Sequence, residues 1–119
     1  MQGRLSQEFR DRTKRFASRI IRLFITLPKN REEVRVLGKQ MLRSGTSVAA
    51  QVREANRARS TAEFTSKLSG ACQEADETQL WLEFLREDCG IAEDQTKPLE
   101  QEASELLAIM VTMIKNSKS

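Results

Sequence analysis

At 119 residues, with 39% hydrophobic and 31% charged side chains, the chain is long enough to bury one core and too apolar to remain disordered. Aromatic residues make up 5%, there is no tyrosine and only two prolines occur, a composition that argues against a β-sandwich and for long helices. Histidine is absent, which excludes Ser-His-Asp and Cys-His nucleophiles, imidazole zinc sites and the Glu-x-x-His di-iron bundles.

Hydrophobic periodicity predicts four helices, at about 7–27, 31–59, 61–89 and 98–116, within a single domain over 1–119. The first opens at Ser6, a candidate N-cap, and carries Phe9, Thr13, Phe16, Ile20, Leu23, Phe24 and Leu27 on one stripe until Pro28 and Asn30 stop it. Asn30 followed by Glu33 resembles a capping box for the second, whose stripe is Val34, Leu37, Met41, Val48, Val52 and Ala55. Ser44 and Gly45 interrupt that stripe without shifting its period, which predicts a close helix–helix approach rather than a break.

Ser60-Thr61-Ala62-Glu63 is a capping box and starts the third helix, with Phe64, Leu68, Ala71, Cys72, Ala75, Thr78, Leu82 and Leu85 inward. Gly90-Ile91 predicts a Schellman stop. A polar connection then leads to Pro98 in the first turn of the fourth helix, whose stripe runs from Leu99 to Ile114, with a frayed tail over 115–119. Short connections between long helices make neighbours antiparallel, so the expected fold is all-α, an antiparallel up-and-down four-helix bundle.

Charge is split along the chain. Residues 1–59 hold 15 Lys+Arg against 5 Asp+Glu, net +10, whereas residues 60–119 hold 5 against 12, net −7. In the first helix Arg12, Arg15, Arg19 and Arg22 recur at three, four and three, which places them on one flank about a quarter turn from the apolar stripe; Arg10 and Lys14 lie beside them. Ile21, Ile25, Leu80, Phe84 and Ile109 are apolar residues beyond what one bundle core absorbs.

Three readings of the arginine flank stay open. It is solvated or paired with acids of the same chain; it binds nucleic-acid phosphates; or it meets the acidic face of an adjacent copy, a heterologous contact that closes into a ring.

If the second turn centres near Ser60, antiparallel pairing sets Arg43 level with Glu77, Ser47 level with Gln73 and Glu74, and Glu54 level with Ser66 and Lys67. This predicts a buried or half-buried ion pair between Arg43 and Glu77, its hydrogen bonds completed by Glu74 and Ser47, that fixes register. Arg43→Ala would then cost about 3 to 5 kcal/mol. Glu74 and Glu77 also share a helix face as an acid/base couple would, but no nucleophile or phosphate loop accompanies them. Trp81 reads as a core or interface anchor, and Cys72 and Cys89, with no CxxC, as reduced, unreactive thiols.

The segment Arg43-Ser44-Gly45-Thr46-Ser47-Val48-Ala49-Ala50-Gln51-Val52-Arg53-Glu54-Ala55 carries a specific likeness. So do Glu63-Phe64, Lys67-Leu68-Ser69, Glu74-Ala75-Asp76-Glu77-Thr78 and Trp81-Leu82. With these, from Phe9 to the fourth helix, the sequence resembles the bacterial four-helix-bundle family also called the 23S rRNA-intervening-sequence proteins. The resemblance implies a four-helix bundle that assembles as a ring-like pentamer. Through a distant relative, the basic pentameric accessory protein of diversity-generating retroelements, it also implies association with RNA. Two positions depart from the pattern. Ala49 stands where many members carry proline, which implies a straighter second helix, and Gln51 where many carry asparagine.

Together these observations predict a non-enzymatic, homo-oligomeric module that contacts RNA or another nucleic acid through Arg12, Arg15, Arg19, Arg22, Lys14 and Arg10. The alternative is a pure assembly or adaptor protein whose basic face pairs with the next subunit. No cofactor, metal or small-molecule substrate is expected. No run of about 18 apolar residues is present, and MQGRLSQEFRDRTKR has no signal core, so a cytoplasmic protein is expected.

Overall fold

The computed structural model describes residues 3–118 as four helices: α1 (Gln7–Thr26), α2 (Glu32–Asn56), α3 (Thr61–Glu87) and α4 (Glu93–Lys118). Met1, Gln2 and Ser119, which the expected domain over 1–119 includes, lie outside the described residues. The helices form an antiparallel up-and-down bundle of 47 × 24 × 20 Å. α2 and α3 share the most extensive interface, and α1 meets α4 least. Phe16, Ile20, Met41, Val48, Leu68, Leu82, Leu106 and Met110 fill the centre with almost no exposure.

Local chemistry explains most of the boundaries. Ser6 accepts from Phe9 N at 3.1 Å and Ser60 from Glu63 N at 3.0 Å, so both serines cap. The Glu63 carboxylate reaches back to Arg59 N at 3.2 Å, one residue before the cap. The capping box expected at Asn30 does not form. Arg31 occupies the cap position of α2 without a side-chain bond, and Glu33 is instead held by the Arg31 guanidinium at 2.9 Å. The same guanidinium donates to the Cys89 carbonyl at 2.8 Å, tying the α1–α2 turn to the end of α3.

α3 stops as its glycine demands. Gly90 takes φ +74°, a left-handed value that side chains disfavour, and Ile91 folds back into the core. Ile91 N reaches Leu85 O at 2.9 Å, one residue beyond ordinary Schellman closure, because Cys89 N already reaches five residues back to Phe84 O at 3.2 Å.

α4 departs from expectation at both ends. It begins at Glu93, so Pro98 sits inside the helix rather than in its first turn, and the tail continues helical to Lys118. Glu93 and Asp94 supply the negative charge that a helix N-terminus favours, and Thr96 is fully buried, so the polar connection is itself helical.

The expected close approach at Ser44-Gly45 is present on both sides of α2. A methyl group at Gly45 would lie 2.9 Å from Ile20 Cγ1 and Cγ2 of α1. Ser44 Oγ lies 2.7 Å from Thr78 Oγ1 of α3 in the buried interior. Each hydroxyl also reaches a carbonyl of its own helix, Ser44 that of Met41 at 3.3 Å and Thr78 that of Glu74 at 2.7 Å. α2 runs unbroken through Ala49.

Candidate nucleic-acid interface

α1 turns its apolar stripe onto α2, which leaves its basic residues on the two flanks of the helix, and the flanks differ. Arg12 is engaged inside the molecule. Its guanidinium grips Glu102 of α4 through Nε at 2.8 Å and Nη2 at 2.7 Å, and reaches Glu105 at 2.9 Å. Hydrogen bonding to Glu102 raises its pKa further, so it is charged throughout the accessible pH range. Of the three readings of the arginine flank, pairing within the chain holds for this residue.

Arg15, Arg19 and Arg22 are exposed and form no ion pair among the described residues. Arg19 and Arg22 border a shallow depression of about 330 Å3 against Asp94, Gln95 and Pro98 of α4. Arg10 and Lys14 lie between a quarter and a half turn away on the same helix. They line a groove of about 690 Å3 between α1 and α2, together with Arg53 and Arg57. The six cations singled out from sequence therefore divide into a paired residue, an exposed flank and a groove.

Arg43 meets the acids its register predicted, but not in the manner predicted. Nη1 lies 3.8 Å from Glu74 and Nη2 3.6 Å from Glu77, and the Arg43 side chain is 58% exposed. The pair is loose and solvated rather than buried, because Arg43 leaves α2 on its outward face while the neighbouring Ser44 takes the interior. One carboxylate oxygen of Glu74 is sealed from solvent without a partner. Burial and the neighbouring Glu77 hold the Glu74 pKa above the usual carboxylate range. The predicted level of Glu54 with Lys67 appears as a 2.7 Å ion pair.

The sequence reading missed the enclosed fork. Arg86 of α3 binds Glu100 of α4 through two 2.9 Å bonds, with the side chains 19% and 11% exposed. Hydrogen bonding to the Arg86 guanidinium draws the Glu100 pKa down. The α3–α4 turn could be centred only once α4 was known to begin at Glu93, and no local motif marks the pair.

Elsewhere the surface offers little chemistry. Burial raises the thiol pKa values of Cys72 and Cys89, which disfavours the nucleophilic thiolate. Trp81 is half-buried against Phe84, with ring centroids 6.2 Å apart. Among the described residues no group of three or more Cys, Asp or Glu is placed to hold a metal ion, and no helix is long and apolar enough to cross a membrane. Ile21, Ile25 and Leu80 are exposed as expected, and Val36 and Val111 join them. Phe84 and Ile109 are half-buried.

Residues 6–112 match the family model described as 23S rRNA-intervening sequence protein. The fold is similar to the crystal structure of a protein of unknown function from the S23 ribosomal protein family of Bacteroides thetaiotaomicron. Sequence identity is 38% and the TM-score 0.83, over 90% of this chain and 98% of that one. Among curated proteins no relative matches.

Proposed function

Because this chain belongs to the 23S rRNA-intervening sequence protein family, we propose that it is a non-enzymatic, cytoplasmic helical module that binds RNA through the exposed flank of α1. It does so as a homo-oligomer, the ring-like pentamer that its family resemblance implies. One observation carries the reading. Arg15, Arg19 and Arg22 project on successive turns of one helix, exposed and in no ion pair among the described residues. They span about 10 Å along the axis at 1.5 Å per residue. Such a row meets phosphates rather than bases, so binding is tolerant of sequence and sensitive to salt.

Fluorescence anisotropy of a labelled structured RNA, with nuclease-treated protein, tests this. Binding is expected to fall with salt, and three phosphates neutralised by one chain give a log–log slope of about −2 on a single strand and about −3 on a duplex. Arg15, Arg19 and Arg22 changed together to glutamate should abolish binding while the oligomer, followed by light scattering, persists. Arg12 is left intact because its reversal would break the tie to α4.

The assembly reading has its own observation, the exposed Ile21 and Ile25 on α1. On that reading the triple reversal dissociates the oligomer, and RNA does not bind even at low salt.

A further inference from the structure

The groove between α1 and α2 stands apart from the arginine flank and has a different character. Its volume of about 690 Å3 is that of a small-ligand site. Arg10 and Lys14 enter it from α1, four residues apart and so on one helix face. Arg53 enters from the last turn of α2 and Arg57 from the cap just beyond it, and the antiparallel packing brings them opposite the α1 pair. Ala49 and Ala50 keep the trough open between them.

Two carboxylates also line the groove, and each has a partner other than these four cations. Asp11 accepts from Gln7 Nε2 at 2.9 Å, and Glu54 pairs with Lys67 of α3 at 2.7 Å. None of the four cations has an ion-pair partner among the described residues. Arg10 is the most telling of them. It is half-buried, and its Nε is closed to solvent and meets no acceptor. A buried guanidinium donor without an acceptor is destabilising, and because Nε is closed to solvent an external anion meets Arg10 through its terminal amino groups.

We propose that this groove is an anion site that takes a phosphate chain, a di- or triphosphate, either free or as the 5′ end of a nucleic-acid strand. Three guanidinium forks and one ammonium offer more donors than a single phosphate group accepts, whereas a chain presents several oxygens along the trough. No aromatic residue lines the groove, so recognition ends at the phosphates and does not extend to a base. The site is independent of the RNA reading above, since it uses none of Arg15, Arg19 and Arg22.

Calorimetric titration of the intact protein with inorganic tripolyphosphate, at about 0.15 M salt to screen diffuse attraction, provides the test. Saturable binding with one equivalent per chain is expected. Paired Arg53→Gln and Arg57→Gln should weaken it at least tenfold. Ala50→Phe, which keeps every charge and replaces an exposed side chain, should do the same without altering the thermal melt. Paired Arg15→Gln and Arg19→Gln should leave it unchanged.

Competition identifies the source of the chain. Displacement by 5′-triphosphate RNA but not 5′-hydroxyl RNA assigns a strand end, and displacement by neither assigns a free oligophosphate. The proposal is overturned by the absence of saturable binding, by parental binding in Ala50→Phe, by equal loss in the Arg15/Arg19 variant, or by equal competition from 5′-hydroxyl RNA.

Discussion

Arg43 and Arg86 carry the same guanidinium fork and each meets glutamates of a neighbouring helix, yet their surroundings make them unequal. The Arg86–Glu100 fork is bidentate and mostly enclosed, whereas Arg43, itself exposed, holds its acids at 3.6 Å or more. Exposed pairs of that kind contribute about 0 to 1 kcal/mol. Arg43→Ala is therefore expected to shift the urea unfolding midpoint by no more than that, well below the 3 to 5 kcal/mol of a buried pair; a larger loss would mean that Arg43 supports Glu74 more closely than its distances indicate. At this scale sequence reasoning found the partners and missed the burial. The register argument sets the level of Arg43 along α2 but not its direction; Ser44 lies on the inward stripe, and at 100° per residue Arg43 is turned away from it.

Helix packing turns on two glycines whose substitution should act in opposite directions. Alanine at either position gains about 1 kcal/mol of helix propensity. At Gly45 the new methyl meets the branched, fully buried Ile20 at 2.9 Å, which has no room to yield, so overpacking of about 1 to 3 kcal/mol outweighs the gain. At Gly70 the nearest atom is the amide end of Gln51, also 2.9 Å away, on a flexible side chain that swings aside. Chemical denaturation should show Gly45→Ala destabilised and Gly70→Ala neutral or stabilised. Helix starts at Ser6 and Ser60 and the stop at Gly90 were legible because each depends on a few consecutive residues. The start of α4 was not, since burial of Thr96 and the acids at 93 and 94 outweigh the breaking tendency of Pro98.

For the whole molecule, the charge split becomes a set of struts. Acids of α4 hold it to α1 through Arg12 and to α3 through Arg86. The Glu100 pKa is lower in the folded state, so its stabilisation is complete above the unfolded carboxylate value of about 4.3 and is lost as pH falls through the folded value. Glu74 acts with the opposite sign. Its folded pKa is raised, so stability declines as pH rises from the unfolded to the folded value and its ionised form detracts at neutral pH. Glu100→Gln should lower stability at pH 7 and flatten the acid limb of the stability–pH curve, while Glu74→Gln should raise stability at pH 7. Denaturant titrations at pH 7 and pH 3 read both outcomes.

The sequence by itself determined the four helices, their antiparallel order and the level of α2 against α3, because periodicity, caps and short turns are local signals that packing here reinforces. It also showed where the positive charge lies, since residues 1–59 hold 15 of the 20 Lys+Arg. Only the tertiary structure decided how those cations are used. Arg12 is paired within the chain, Arg15, Arg19 and Arg22 face solvent, and Arg10 and Lys14 turn into the groove beside Arg53 and Arg57. Residues a few positions apart on one helix point to different neighbours, and which helix stands at each flank is a property of the assembled bundle rather than of any segment.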